Sequence, residues 1–207
     1  QGLIPSLSTV LIQEMARFNK LLDVIKLSLV NMQKAIKGII LMSPELDSMY
    51  SSLLNNQVST AFLLAKNGLG STIWEKAAYP SLKPLASWIK DLKERVEFMR
   101  NWLLNGNPNC YWLSGFFFPQ GFITGVLQTH ARKYEIAIDK LSFSFRVLDF
   151  EKDQLQSRPA VISHLFLADI LIDGVYVYGL FLEGAIWDRK RKTLSDQHPV
   201  YSLVLLI

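Results

Sequence analysis

The strongest constraint on the fold of this 207-residue chain lies near its start. Leu11, Met15, Phe18, Leu22, Ile25, Leu29, Met32, Ile36 and Ile39 follow one another at alternating steps of four and three residues. Such steps place side chains on one face of an α-helix, where residues three, four and seven apart line up. The spacing predicts a helix from Ser8, a candidate N-cap, to Leu41. Ser43-Pro44 then ends it and opens a second helix reaching Asn55, because a residue before proline avoids the α region. A strict stripe of this length suits a coiled coil. However, Leu21, Val24, Leu27 and Val30 add apolar surface beside the stripe. That width fits a helix covered on two sides better, although an ordinary core helix is the commoner outcome. Leu21, Val24 and Leu27 are therefore candidate packing or interface residues.

Residues 56–80 are less regular, with a break at Gly68-Leu69-Gly70. A third helix is expected after Pro84, where Leu85, Trp88, Leu92, Val96, Met99 and Leu103 repeat at helical spacing and Gly106 supplies the stop. Asn105-Gly106-Asn107-Pro108-Asn109 reads as a loop and a domain boundary. Beyond it the period changes. Tyr111–Phe118 is an aromatic strand candidate, and Pro119-Gln120-Gly121 opens a helix with Ile123, Leu127, Ala131 and Tyr134 on one face. Leu141–Val147 alternates apolar and polar residues like a half-buried strand. Asp173-Gly174 between two apolar triplets signals a tight hairpin. Val200–Ile207 reads as a last strand.

The stretch YWLSGFFFPQGFIT, Tyr111–Thr124, carries four Phe, one Trp, one Tyr and no charge. It lies inside a run from Asn101 to Ala131 without any Asp, Glu, Lys or Arg. A bilayer-crossing helix needs about 20 mostly apolar residues. Six Asn and Gln residues and two prolines interrupt this run, so a membrane segment is not expected. Trp112, Phe117 and Phe118 are instead candidate packing or interface residues. At 50% hydrophobic and 19% charged residues the composition is globular. A net charge of +4 is too small to imply nucleic acid. The single Cys110 rules out an internal disulfide framework and points to a reducing compartment. The chain begins with Gln1, which reads as a piece of something longer.

A search for chemistry finds no site. The GxxxxGK[S/T] phosphate loop and the G-x-S-x-G nucleophile elbow are absent. Gly68-Leu69-Gly70 lacks the third glycine of a dinucleotide fingerprint. Asp149, Glu151 and Asp153 imitate a calcium loop, but Gln154 replaces its glycine and Ala160 its closing glutamate. His130, His164 and His198 are scattered, and with one Cys they do not make a zinc site. Glu183, flanked by apolar residues, is a candidate buried acid; a carboxylate accepting backbone hydrogen bonds at a turn is the commoner reading. Arg189-Lys190-Arg191-Lys192 suits an acidic partner, or simply a solvated hairpin loop.

Five segments add a resemblance. QEMARFNKLL, NMQKAIKGIILMSPEL, YPSLKPLASWIKDL, YWLSGFFFPQGFITGVLQTHARK and GVYVYGLFLEGAIWD, in this order, resemble the C-terminal region of dynein heavy chains over Val10–His198. WLSGFFFPQGF, followed by ARKY and IDKLSF, is closer to the axonemal, ciliary branch than to the cytoplasmic one. The resemblance implies part of an ATP-driven, minus-end-directed microtubule motor built on a ring of six AAA+ modules. It further implies helices and then a small β-barrel-like subdomain lying on one face of that ring, steadying it and modulating output. ATP and magnesium would bind in the parent's AAA+ modules, and none of their motifs occurs here. Relatives continue with a further Pro-containing apolar strand, whereas this sequence ends on HPVYSLVLLI.

The expected architecture is α+β: a helical subdomain over residues 1–106 with one long helix, then a β-barrel-like subdomain over residues 107–207 with one helix. No catalytic, cofactor-binding or metal-binding residue is expected in this segment. Expected partners are the AAA+ ring of the same heavy chain and, for the parent, microtubules and other dynein chains, without nucleic acid or membrane. The expected location is the cytoplasm, cytoskeleton and ciliary axoneme. The rival reading is a freestanding small-barrel module that engages nucleic acid or another acidic partner through Arg189–Lys192.

Overall fold

Gly38 stops the first helix before the expected Leu41. In the computed structural model α1 spans Ser6–Ile36, and Gly38 has φ +71°, a left-handed conformation that costs a residue without Cβ little. The Gly38 amide donates to the Ala35 carbonyl and the Ile39 amide to the Lys34 carbonyl, both at 2.9 Å. This is the Schellman arrangement, which satisfies carbonyls the helix end leaves open. At the other end, Ser8 lies inside the first turn and is not the N-cap. The structure describes residues 5–55, 74, 77–81, 83–143, 146–147, 174–179, 185–188, 191, 193–196 and 204–206.

Helix α2 runs over Pro44–Leu54. Ser43 is its N-cap, with Oγ accepting from the Leu46 amide at 3.3 Å and Pro44 in the first turn, as the Ser-Pro pair predicts. Helix α3 spans Leu85–Asn105, and Gly106 follows it at φ +80°. The chain forms two compact units, Gln13–Met99 and Gln1–Ile12 with Arg100–Ile207. The expected cut lies at 106, whereas the division falls within α1 and within the last turns of α3.

In the first unit, the buried seam of α1 is not the apolar stripe of the sequence. Glu14, Phe18, Leu21, Ser28 and Met32 are buried, whereas Leu22, Leu29 and Ile36 are exposed. The seam has the same four-three rhythm, shifted by one residue at every second step. Helix α3 behaves alike: Trp88, Asp91, Leu92, Arg95 and Met99 are buried, and Val96 is only half-buried.

In the second unit, β1 is short, Cys110–Trp112. The expected strand to Phe118 ends there because the backbone turns through a 3₁₀ turn at Leu113–Gly115. Pro119 then starts α4, Pro119–Tyr134, with its fixed φ preset for a first helical turn. Phe122 and Gly125 are the buried positions of α4; Ile123, Leu127, Ala131 and Tyr134, the expected face, are half-buried. A Cβ on Gly125 would stand 2.9 Å from Val10 Cγ2, so the bare glycine is what lets α4 approach the start of α1.

Four strands form one sheet in the order β1-β3-β6-β2, with β2 at Arg146–Val147, β3 at Tyr176–Tyr178 and β6 at Val204–Leu206. Strand β3 pairs parallel with β1 and antiparallel with β6, in register Val177↔Tyr111 and Val177↔Leu205. The parallel pair needs a long crossover, and α4 lies within it. The last strand is thus internal to the sheet, paired on both sides. Strands β4, Ala185–Asp188, and β5, Thr193–Asp196, make a separate hairpin. The class is α+β; a closed barrel is not shown among the described residues. Of the strand expected over Leu141–Val147, residues 141–143 are not strand and Arg146–Val147 form β2; a 3₁₀ turn at Ile138–Lys140 precedes them. Glu183, the Asp173 side of the expected hairpin and the Asp149–Ala160 loop lie outside the described residues.

Candidate interaction site

The first unit is held by a polar cluster set into an aromatic stack. Trp88 stacks between Trp74 and Tyr79, with ring centroids 6.0 and 5.9 Å away. Phe18 of α1 meets Tyr79 at 6.4 Å, and Trp74 Nε1 donates to the buried Ser28 hydroxyl at 2.7 Å. Trp74 and Tyr79 thereby join α1 to α3. The Arg95 guanidinium lies 3.9 Å over the Tyr79 ring and donates from Nε to Asp91 Oδ2 at 2.6 Å. Lys83 Nζ pairs with the other Asp91 oxygen. Burial pushes the Asp91 carboxyl up, but the bonds from Lys83 and Arg95 outweigh it and hold the group below the usual carboxylate range. Burial first, and Asp91 second, push the Tyr79 phenol far above its ordinary range. A carboxylate with both oxygens engaged by cations is a brace, with no proton to exchange near neutral pH. Sequence reasoning missed Asp91, Arg95, Trp74 and Tyr79. The available signal was the i, i+4 Asp-Arg pair beside Trp88 and Leu92 on one helix face.

In the second unit the aromatic run becomes a core. Tyr111 packs on Phe122 at 4.7 Å, Phe116 stacks on Phe122 at 4.8 Å, and Trp102 meets both Tyr111 and Phe116 edge-on at 5.2 and 6.2 Å. Such offset and edge contacts match the ring quadrupoles. Trp102 Nε1 donates to Asn107 Oδ1 at 2.9 Å, so its one polar atom is partnered. Across the strand pair, Trp112 stacks on Tyr178 at 6.3 Å. A Cβ on Gly179 would stand 2.5 Å from Trp112 Cδ1, and one on Gly115 2.8 Å from its Cδ2, so two glycines make room for that indole.

The candidate interface residues separate accordingly. Leu21 is fully buried and belongs to the first unit's core, not to an exposed surface. Val24 is half-buried and Leu27 exposed. Trp112 and Phe117 are half-buried, and Phe118 is exposed over Gly121. Tyr111, Phe116 and Phe122, which the candidates omit, are buried rings of the run. Of the basic run only Arg191 is among the described residues; it follows β4, and its amide donates to Asp188 Oδ1 at 3.1 Å. No group of three metal-ligating side chains occurs among the described residues, and no helix there is long and apolar enough to cross a membrane.

An interior of partnered cations and packed rings, with apolar side chains left outside, suits a packing module. Comparison with known proteins decides which one. The family model for the C-terminal domain of dynein heavy chains matches residues 1–204. The chain belongs to this family. It is 46% identical, over 94% of its length, to dynein axonemal heavy chain 1 of Rattus norvegicus. It is 44% identical over 96% of its length to dynein axonemal heavy chain 6 of Homo sapiens, and 41% identical over 94% to dynein axonemal heavy chain 12 of Mus musculus. The chain spans only 4–5% of the length of these relatives. Tyr111–Phe122 is the junction of a strand with a helix, and the rings of Tyr111, Phe116 and Phe122 pack in the interior of the second unit.

Proposed function

We propose that this segment is the C-terminal domain of an axonemal dynein heavy chain and serves there as a non-catalytic brace that steadies the AAA+ ring and modulates motor output. The match over residues 1–204 carries this reading. The parent is then an ATP-driven, minus-end-directed microtubule motor of the ciliary axoneme and cytoskeleton, with ATP and magnesium held in modules outside this segment. The four-stranded sheet and the β4–β5 hairpin are the parts from which a small barrel would be completed. Nothing favours nucleic acid: the net charge is small, and Arg191 is turned toward Asp188.

The test is deletion of this segment from a complete heavy chain. Microtubule-stimulated ATPase, gliding velocity and thermal unfolding of the ring are then compared with the intact motor. A lower ring melting temperature with altered velocity is expected. Unchanged values for all three would overturn the reading. The isolated segment should also show no saturable binding of a fluorescent ATP analogue at micromolar concentration.

A further inference from the structure

The charged groups of the Asp91 cluster are not equally accessible. The Asp91 and Arg95 side chains are 3% and 10% exposed, whereas the Lys83 side chain is 51% exposed. The buried carboxylate thus has one cation inside the unit and one at its surface. The two cations also differ in chemistry. A guanidinium keeps its charge and its protons, whereas a lysine amine, once deprotonated, attacks acyl carbonyls and loses its charge in doing so. Lys83 stands just before α3, where its amide donates to Ser81 Oγ at 3.2 Å, and the neighbouring Pro84 carbonyl accepts from the Trp88 amide at 2.8 Å. From there its side chain reaches eight residues along the chain to Asp91, tying the entry of α3 to the end of its second turn. Lys90 supplies the contrast on the same helix. It is 79% exposed and pairs at 3.9 Å with Glu94, itself 55% exposed. A carboxylate in water that loses its cation is solvated at once; a buried one is not.

We infer that Lys83 is a site of Nε-acylation, and that an acyl group placed there unlocks α3 from the surface. The donor is an acyl thioester. The deprotonated Lys83 amine attacks the thioester carbonyl, an N–C bond forms, the C–S bond breaks, and the thiol leaves with a proton from the amine. The product is a neutral amide with one N–H donor where the ammonium had three. Asp91 then keeps the Arg95 guanidinium, at 2.6 Å, but loses the cation that held its other oxygen. The segment before α3 is released with it, and that segment carries Tyr79 against Trp88 and under Arg95. A change made on a half-exposed side chain is in this way felt by a side chain that solvent does not reach.

The first test treats the complete, folded heavy chain with acetyl-coenzyme A at mildly alkaline pH and reads acetylation at single residues by mass spectrometry. Lys83 is expected to react, several-fold more slowly than Lys90, because its ammonium is engaged by a buried anion. Lys83 left unmodified once Lys90 is complete overturns the site. The second test installs Nε-acetyllysine during synthesis, at position 83 alone or at position 90 alone, and follows amide hydrogen exchange across α3. Exchange should rise about tenfold with the group at 83, between the effects of an exposed pair and of a broken buried one, and by less than about twofold with it at 90. Lys83→Gln should behave like the chain acetylated at 83 and Lys83→Arg like the unaltered one, which separates loss of the charge from a general failure to fold. Equal exchange in the unaltered chain and the chain acetylated at 83, or equal rises from 83 and 90, overturns the inference.

Discussion

Asp91 and Phe122 lie equally deep in their respective units, yet what surrounds them differs in kind. Asp91, 3% exposed, is held by two cations of which one comes from the residues before α3 and one from α3 itself. Phe122 is held by two rings and contributes no polar atom. A charged core is directional: each member fixes the position of the others, and losing one leaves the rest buried and unpaired. A ring core is fixed by volume, and losing one member leaves a void. The two units should therefore fail under different insults.

The largest effect is expected from Phe122→Ala, on the order of 3–5 kcal/mol from lost transfer and cavity terms. Phe118→Ala, four residues earlier in the same aromatic run but 48% exposed, should cost well under about 1 kcal/mol. Denaturant melts of both variants read the difference. Equal costs would show that the aromatic run acts as one surface and would dissolve the contrast between its buried and open rings.

Next in size is Asp91→Ala, about 3 kcal/mol, because the buried Arg95 guanidinium, held over Tyr79, would lose its bond to the Asp91 carboxylate. Leucine substituted for Asp91 alone should be no better, since the charge left behind sets the cost. A pH titration sharpens the point. The folded Asp91 carboxyl titrates below its ordinary value of 3.8, so the unfolded state takes up the proton first. Stability from this group is full above that value and drains away as pH falls through the folded one. The gap between wild type and Asp91→Asn should thus narrow from about pH 5 down to about pH 2. A gap constant over that range would mean that Asp91 is not held as an anion.

The same contrast explains what the sequence could tell. The existence of the three helices, the Ser43 cap and the Gly106 stop follow from local rules that the neighbouring residues do not override. The buried seams do not, because Glu14, Ser28, Asp91 and Arg95 occupy core positions that a hydrophobic stripe passes over. Their partners are distant in sequence: Ser28 receives its bond from Trp74, and Asp91 one of its cations from Lys83. The aromatic run failed differently. Its composition marks a core, but the turn at Leu113–Gly115 decides which Phe is inside, and no periodicity announces it. The family resemblance was legible because it rests on the order of long segments, which needs no knowledge of which side chains are buried.

Gly179→Ala should cost about 1–3 kcal/mol, since φ +76° already disfavours a side chain and the new Cβ would meet the Trp112 ring. Trp112→Ala in the same molecule should remove the larger steric part and leave the backbone part and the closer approach to Ser114 Oγ at 3.0 Å, so the paired cost is less than the sum of the single ones. Strict additivity in thermal melts would show that Trp112 does not press on Gly179.

The smaller of the two glycine effects is expected at Gly38, which shares the left-handed backbone of Gly179 but has no atom within 4 Å of the Cβ position. Gly38→Ala isolates the backbone cost alone, about 1 kcal/mol. Gly38→Asn should cost less, because asparagine tolerates this conformation better than other residues with a side chain. Neither change touches the core of the first unit, so both should leave the Asp91 acid limb unmoved while lowering its starting height. Hydrogen exchange at the Gly38 and Ile39 amides supplies the local reading, since these two close the turn on Ala35 and Lys34. If Gly38→Ala speeds exchange there while the global melt is unchanged, the turn opens independently of the core. If exchange and melt move together, the turn is part of the same cooperative unit that Asp91 braces.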